Sequence, residues 1–216
     1  MKAVIFDMDG LMIDSERIIH QAIIWAGEKL GLENIEKLAK STIGSNAVRT
    51  REIYFNRYGS NCPFDELMRL KHVYLDRVIG DNGFPAKKGL YEILDFIEEK
   101  GLKKAVATST RKGAVYPQLE KLNVLERFDA VICGDMIENS KPDPEIFLKV
   151  SDMLDVKPDE CYVLEDSFNG VRAGFNAGMK TIMIPDLIMP DDEIKSLAWK
   201  ITDNLLKAID IINGDI

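Results

Sequence analysis

The chain has 216 residues, a formal net charge of −8 and an apolar content of 46%. This length favours one main domain with a smaller insert, and the apolar content is high enough for a sizeable core, which excludes global disorder. The basic clusters are no larger than short pairs, such as Lys87-Lys88 and Lys103-Lys104. Such an acidic chain is a poor partner for nucleic acid or for an anionic membrane, and no apolar run approaches the roughly 18 residues of a membrane span.

The three cysteines, Cys62, Cys133 and Cys161, lie far apart and lack the spacing of a metal site. Their number is odd, and a chain of this size does not need disulfides to fold, so we expect reduced thiols in a cytoplasm-like compartment. The apolar run after Lys2 is interrupted by Asp7, which argues against a signal peptide. We therefore expect a cytoplasmic protein.

In chain order, short apolar runs of strand type alternate with segments of helical period. The runs are residues 2–6, 104–107, 130–133, 162–164 and 181–184. The helical segments carry apolar faces at Leu90, Ile93, Leu94 and Ile97, at Val115, Leu119 and Leu122, and at Ile146, Phe147, Val150 and Leu154. This alternation predicts an α/β fold, a Rossmann-like parallel sheet covered by helices on both faces.

Residues 15–81 break the alternation, because they are helix-patterned and contain no convincing strand. Ser15 can cap a first helix, Gly31 and Gly59 indicate turns, and Pro63 precedes a further helix. We expect a small all-helical domain at 15–81, inserted after the first strand of a catalytic core that is formed by 1–14 and 82–216.

Polar residues follow three of the predicted strands where those strands end. They are Asp7 and Asp9 after the first run, Thr108, Ser109 and Thr110 after the second, and Glu165 and Asp166 after the fourth. Lys141 lies in the segment SKPDP, downstream of the third run. Open parallel sheets bind ligands beyond the carboxyl ends of their strands, so we expect these side chains to share one site.

Four carboxylates in one site repel one another unless a cation balances them. Oxygen-only ligands favour a hard ion, Mg²⁺ first, and Mg²⁺ with hydroxyls and a lysine is a suitable environment for a phosphate group. Asp7 could attack phosphorus and form an aspartyl-phosphate, while Asp9 protonates the leaving oxygen and later deprotonates water. Gly10 permits the sharp turn that follows.

Each of these features has an ordinary alternative when it is taken alone. The aspartates could belong to a strand-end turn, Thr108 and its neighbours to a helix cap, the acidic pair at Glu165 to a helix start, and Lys141 to the solvated surface. All four features at strand ends together are improbable without a shared site.

At all four of these features the sequence resembles a motif of the haloacid dehalogenase superfamily of phosphotransferases. "VIFDMDG" looks like its first motif, with Asp7 as nucleophile and Asp9 as acid/base, and "VATST" looks like its second, with Thr108 on the phosphoryl oxygens. "SKPDPEIF" looks like the third motif, in which Lys141 would steady nucleophile and phosphate. "VLEDSFNGVRAG" looks like the fourth, with Glu165 and Asp166 at the Mg²⁺.

The resemblance also implies the metal ligands. They would be the carboxylates of Asp7 and Asp166 and the main-chain oxygen of Asp9, with Glu165 acting directly or through water. "FDMDGL" with "IDSE" and the helical insert resemble the subfamily with a helical cap, which contains β-phosphoglucomutase and many phosphatases of sugar and nucleotide monophosphates. Asp9 argues against the dehalogenase branch, which lacks this acid/base.

The expected substrate is a small phosphomonoester, a sugar phosphate or a nucleotide-type monophosphate. Thr108, Ser109 and Lys141 would bind its phosphate. A cap loop with Gly44, Ser45 and Asn46 would bind the rest, and a monomer is expected because cap closure needs a free edge.

Two alternatives to a phosphatase remain open. In the mutase pattern a histidine lies ten residues after the acid/base aspartate, where this chain has Ile19, and an arginine follows three residues after the cap-loop glycine, where this chain has Ala47. These departures favour a phosphatase over a β-phosphoglucomutase-type mutase, although Arg49 lies close by. A phospho-receiver module would use similar groups, but the helical insert after the first strand and the acid/base residue Asp9 argue against it.

Overall fold

A computed structural model of the chain describes residues 1–43 and 47–216. The chain divides into two compact units, one formed by Met1–Asp14 and Phe84–Ile216 and the other by Ser15–Gly83. The second boundary lies two residues beyond the position given by the sequence pattern, because a 3-10 turn at Gly80–Asn82 directly follows the last helix of the insert.

The first unit is built on a parallel sheet. Its strands within the described residues are β1 Ala3–Phe6, β2 Lys103–Ala107, β3 Ala130–Ile132, β4 Cys161–Glu165, β5 Lys180–Met183 and β6 Lys200–Ile201. Their order is β3-β2-β1-β4-β5-β6, and every neighbouring pair is parallel. This confirms the predicted α/β class, and it places β1 at the centre of the sheet, where the strand order changes direction.

Ten α-helices lie in the described part of the chain. They are α1 Ser15–Lys29, α2 Ile35–Ser41, α3 Ala47–Tyr58, α4 Phe64–Val78, α5 Leu90–Glu99, α6 Lys112–Lys121, α7 Glu145–Leu154, α8 Phe168–Asn176, α9 Asp192–Leu197 and α10 Leu205–Asn213. Helices α1 to α4 form the second unit, as predicted for an all-helical insert, and α5 to α10 belong to the first.

Strand β1 is buried on both faces of the sheet. Val4 and Phe6 belong to a core shared with α5, α6 and α10, whereas Ala3 and Ile5 belong to one shared with α7 and the end of α8. Alternate residues of a strand point to opposite faces, which explains this division. Parallel pairing with β2 on one side and β4 on the other fixes the register of β1 and so places the residues that follow it.

The helical unit has an apolar core of its own. Tyr54 is fully buried there, and its ring packs edge-on against Phe64 with centroids 5.5 Å apart. Ala26, Ile35 and Leu67 belong to the same cluster. Aromatic pairs in this geometry contribute beyond the area that they bury, so the unit has its own source of stability.

All three cysteines are buried and unpaired. Within the described ranges, no helix combines the length and the apolar character that crossing a membrane requires.

Candidate active site

The predicted site residues lie at the carboxyl ends of the three central strands. Asp7 follows β1 directly, and its main-chain N–H donates to Leu164 O of β4 at 3.0 Å. Thr108 follows β2, and its N–H donates to Ile132 O of β3 at 3.1 Å. Glu165 is the last residue of β4. These strands are neighbours at the point where strand order reverses, which is where doubly wound sheets bind ligands.

Lys141 joins the ends of the three central strands. Its Nζ lies 2.7 Å from Asp7 Oδ1, 2.7 Å from Glu165 Oε1 and 2.9 Å from Ala107 O, so all three ammonium hydrogens have an acceptor. The Lys141 side chain is only 5% exposed, and Nζ lies 4.9 Å from the centroid of the Phe147 ring. A lysine this enclosed is stable only when charged partners surround it, and the structure supplies two.

Glu165 is completely buried and is held from several sides. Oε1 accepts from Lys141, and Oε2 accepts from the main-chain N–H of Ser167 at 2.9 Å and from its hydroxyl at 3.0 Å. A Cβ at Gly170 would lie 1.8 Å from the Glu165 carboxyl carbon, so the first turn of α8 packs directly on this carboxylate. The sequence analysis identified Glu165 but missed Ser167 and Gly170, the residues that hold it.

A metal ion could be held by three carboxylates. Single oxygens of Asp7, Glu165 and Asp166 lie within 4.8 Å of one another. Lys141 alone cannot neutralise three such groups, and oxygen ligands at this spacing suit a hard divalent cation. Of the three, Glu165 already accepts three hydrogen bonds from protein groups. The donor set therefore fits Mg²⁺.

The charges of the site shift its pKa values. Burial is the largest influence on Asp7 and raises its pKa to about 8; Lys141 opposes the rise, while Glu165 and Asp9 add to it. Burial by itself would lower the pKa of Lys141, but attraction to Asp7 and Glu165 outweighs it and raises that pKa above its usual value. Lys141 is thus a permanent cation, but it does not by itself keep Asp7 ionised at neutral pH, and a bound cation would supply the missing positive charge.

The hydroxyl-bearing loop after β2 is packed closely. Thr108 is 1% exposed, and its Oγ1 accepts the main-chain N–H of Thr110 at 3.1 Å, so the Thr108 hydroxyl hydrogen can be donated elsewhere. Ser109 is exposed. A Cβ at Gly134 would lie 2.1 Å from Ser109 O, so only glycine fits beside this loop. Gly134 is a third residue that the sequence analysis missed.

Asp9 lies at the start of a tight turn. Gly10 has a φ of 77°, which favours glycine, and its N–H donates to Ile13 O at 3.1 Å. The Asp9 side chain is partly exposed, and its Oδ2 accepts a hydrogen bond from Thr110 Oγ1 at 2.6 Å. The turn therefore presents Asp9 beside the loop that carries Thr108.

Three of the predicted substrate-binding residues, Gly44, Ser45 and Asn46, lie outside the described residues. The other predicted site residues all belong to the first unit, and they come from four separate segments of the chain.

The sequence matches the model of the haloacid dehalogenase-like hydrolases over residues 4–184. The phosphorylated carbohydrates phosphatase of Thermotoga maritima is 33% identical over 182 residues, which cover 84% of this chain and 84% of that protein. Hexitol phosphatase B of Escherichia coli strain K12 is 28% identical over 184 residues, which cover 85% of this chain and 83% of that protein.

A solved structure shows the same likeness. The crystal structure of a protein from Thermotoga maritima, provisionally named a β-phosphoglucomutase, is similar with a TM-score of 0.82 and 28% identity, and all of both chains is covered.

Proposed function

Because the chain belongs to the haloacid dehalogenase-like hydrolase family and is an enzyme of its phosphatase and phosphomutase type, we propose that it hydrolyses small phosphomonoesters through a phosphorylated Asp7. One observation carries this proposal. The Asp7 carboxylate follows the central strand and lies 2.7 Å from the buried ammonium of Lys141, beside Glu165. A carboxylate held in this way is oriented for attack on an electrophile, and a simple strand-end turn would not need a buried lysine.

The reaction would take place in two steps. In the first, an oxygen of Asp7 forms a bond to phosphorus while the ester P–O bond breaks, and the leaving oxygen takes the proton of the Asp9 carboxyl group. In the second, the Asp9 carboxylate removes a proton from water, the water oxygen bonds to phosphorus, and Asp7 is released. One proton leaves Asp9 and one returns, so the enzyme ends as it began.

Residues of the first unit would bind the phosphoryl group during both steps. The Thr108 hydroxyl would donate to a phosphoryl oxygen, with Ser109 beside it, and Lys141 would hold Asp7 and balance the charge that develops. Because Lys141 also binds Glu165 and Ala107 O, it cannot swing away from the nucleophile.

We propose Mg²⁺ as the cofactor, held by the carboxylates of Asp7 and Asp166 and by the main-chain oxygen of Asp9. When bound, it would neutralise negative charge on the carboxylates and on the phosphoryl oxygens. Glu165 fits better as a residue that orients Lys141 than as a direct ligand, since both of its oxygens already accept hydrogen bonds. The carboxylate oxygens of Asp7 and Asp166, which lie within 4.8 Å of one another, support this assignment.

The substrate class is proposed from the relatives. One acts on phosphorylated carbohydrates and another is a hexitol phosphatase, so a small sugar or sugar-alcohol phosphate is the first candidate and a nucleotide-type monophosphate the second. Gly44, Ser45 and Asn46 remain the proposed contacts to the leaving group. We also propose a monomer in a cytoplasm-like compartment, which is consistent with three free thiols.

A β-phosphoglucomutase-type mutase is the second candidate, and the likeness to the Thermotoga maritima structure favours it. A mutase returns the phosphoryl group to a second hydroxyl of the sugar, so it must also bind a second phosphate group of the sugar away from the reacting one. Ile19 and Ala47 stand where the mutase pattern has a histidine and an arginine, which favours transfer to water. The family membership leaves no support for a receiver module.

The test is turnover of a panel of phosphomonoesters with Mg²⁺. The panel includes β-glucose 1-phosphate with a trace of glucose bisphosphate, and free phosphate and glucose 6-phosphate are followed together. The proposal predicts phosphate release without isomerised sugar, and no turnover by Asp7→Asn. Glucose 6-phosphate with little free phosphate would establish the mutase, and a panel without turnover would contradict both candidates.

A further inference from the structure

Thr110 connects the hydroxyl-bearing loop to the proposed acid/base. Its Oγ1 donates to Asp9 Oδ2 at 2.6 Å, the usual length for a hydrogen bond from a hydroxyl to a carboxylate. The two residues are 101 positions apart in the chain and meet only because β1 and β2 are neighbours. The family motifs described above give Thr110 no role.

The backbone of Thr110 is fixed on both sides. Its N–H donates to Thr108 Oγ1 at 3.1 Å, and its carbonyl oxygen accepts from Gly134 N at 2.9 Å. The carbonyl of Ser109 packs directly on Gly134, where no Cβ would fit. Threonine is also restricted in χ1 by its branched Cβ. The hydroxyl therefore points at Asp9 from a rigid support.

An aspartate has two rotatable side-chain bonds, so its carboxyl group can turn away from the position where proton transfer occurs. Proton transfer requires a distance of about 2.6–3.2 Å between heavy atoms, and a misplacement of about 1 Å can cost about 100-fold in rate. We propose that Thr110 is a positioning residue that fixes the Asp9 carboxyl group for proton transfer to the leaving oxygen. This inference rests on the proposed function, because it assigns a role within the same site.

The experiment separates reactions that need this proton from those that do not. Phenyl phosphate and 4-nitrophenyl phosphate are similar in size, but the nitrophenolate departs readily without a proton. The parameter kcat/KM reports the first step alone, up to loss of the leaving group, so the later attack of water does not enter. For Thr110→Val we expect kcat/KM to fall about 10-fold or more with phenyl phosphate and less than about 3-fold with 4-nitrophenyl phosphate.

Two further variants serve as controls. Thr110→Ser keeps the hydroxyl and should restore most of kcat/KM with phenyl phosphate. Thr181→Val is the matched control: Thr181 is 1% exposed, is the second residue of β5 near the opposite edge of the sheet, and its Oγ1 has no hydrogen-bond partner among the described residues. We expect this control to be unchanged on both substrates. Thermal unfolding of each variant reports whether the fold persists.

The decisive comparison is made in an Asp9→Asn background. If Thr110 acts through Asp9, adding Thr110→Val to Asp9→Asn should cause no further loss with phenyl phosphate. Equal losses on both substrates, or an additive loss in the double variant, would overturn the positioning role and leave the proposed phosphatase intact. A wild-type protein that hydrolyses neither these esters nor any other phosphomonoester of the panel, with Asp7→Asn behaving identically, would overturn the proposed function and this inference with it.

Discussion

Gly170 is the residue on which the placement of Glu165 depends most directly. A methyl group there would lie 1.8 Å from the carboxyl group of Glu165, which is itself fully buried and bound to Lys141. Glu165 could give way only by breaking its hydrogen bonds to Lys141 and Ser167. Glycine at this position is thus required by the site and not by the helix.

We predict that Gly170→Ala lowers the free energy of unfolding by about 1–3 kcal/mol, the usual cost of overpacking, and abolishes most of the turnover. Gly113→Ala is the matched control, since Gly113 is exposed on α6 and has open space around its missing Cβ. Alanine there should stabilise the chain by about 0.5–1 kcal/mol. Chemical denaturation and activity assays measure both, and an active, stable Gly170→Ala would contradict the packing described here.

Lys141 permits a second test at the scale of single residues. Its three acceptors lie within 2.7 to 2.9 Å of one nitrogen, and its side chain is 5% exposed, so a planar guanidinium has no room. We predict that Lys141→Arg loses about 100-fold or more in kcat, and we expect the same of Lys141→Ala. The kinetic parameters of the two variants decide the matter, and near-normal turnover by Lys141→Arg would show that only the charge is needed.

A charged contact at the carboxyl end of helix α5 joins this helix to neighbouring segments of the first unit. Glu98 accepts two hydrogen bonds from Arg127, both at 2.9 Å, and lies 3.2 Å from Lys104 Nζ. Arg127 belongs to the 3-10 turn Leu125–Arg127, and it also binds Asp95 on α5. The bond to Arg127 is the main reason why the pKa of Glu98 falls from 4.5 to about 2.

This contact should make stability depend on pH. Because the folded-state pKa of Glu98 is depressed, its contribution is fully present above the unfolded pKa near 4.5 and is lost as the pH falls toward about 2. Since the Glu98 side chain is 42% exposed, we expect only a few tenths to about 1 kcal/mol. Urea denaturation of wild type and Glu98→Gln should show a difference at pH 7 that shrinks below pH 4.5, and exposed Glu99→Gln on the same helix serves as control. A constant difference would contradict the assignment.

Helix α8 shows why part of the site could not be predicted from the sequence. The strand ends were predictable, because β1 reads as an apolar run and parallel strands bring their carboxyl ends to one edge. The contacts of Gly170 depend on how far α8 approaches β4, and sequence periodicity does not contain that distance. The bond between Thr110 and Asp9 likewise needs the register of β1 against β2.

One strand carries no hydrophobic pattern in the sequence from which it could be predicted. Strand β6, Lys200–Ile201, has two exposed residues at the edge of the sheet, so neither alternation nor an apolar run marks it. The predicted apolar faces of α5, α6 and α7, by contrast, are buried, as the helical period requires. Helices α9 and α10 were not predicted either, although they bury Ile194, Leu205, Ala208 and Ile212.

The molecule as a whole combines a net charge of −8 with a buried excess of carboxylates in its first unit. A cation that binds only the folded state stabilises it by mass action, by about 2.7 kcal/mol at 100 times its dissociation constant. We predict that Mg²⁺ at that level raises the melting temperature by about 5–10 °C. Asp166→Asn should lose most of this shift, and an equal shift in wild type and variant would place the ion elsewhere.

Two separate units, one with the proposed chemistry and one all-helical, agree with a division of labour between phosphoryl transfer and substrate choice. Every group assigned to phosphoryl transfer, from Asp7 to Asp166, lies in the first unit. We therefore expect exchange of the helical unit for that of a relative to change which ester is preferred, while Asp7 remains the nucleophile. A change in the phosphorylated residue would contradict this division.

The most direct measurement of the central claim is mass spectrometry of the acid-quenched Asp9→Asn variant during turnover of 4-nitrophenyl phosphate. This variant can still accept the phosphoryl group from a leaving group that needs no proton, but it cannot activate water well, so the intermediate should accumulate. We predict one added phosphoryl group on Asp7 and none when Asp7→Asn is introduced. A phosphoryl group on another residue, or undiminished phosphate release by Asp7→Asn, would contradict the account.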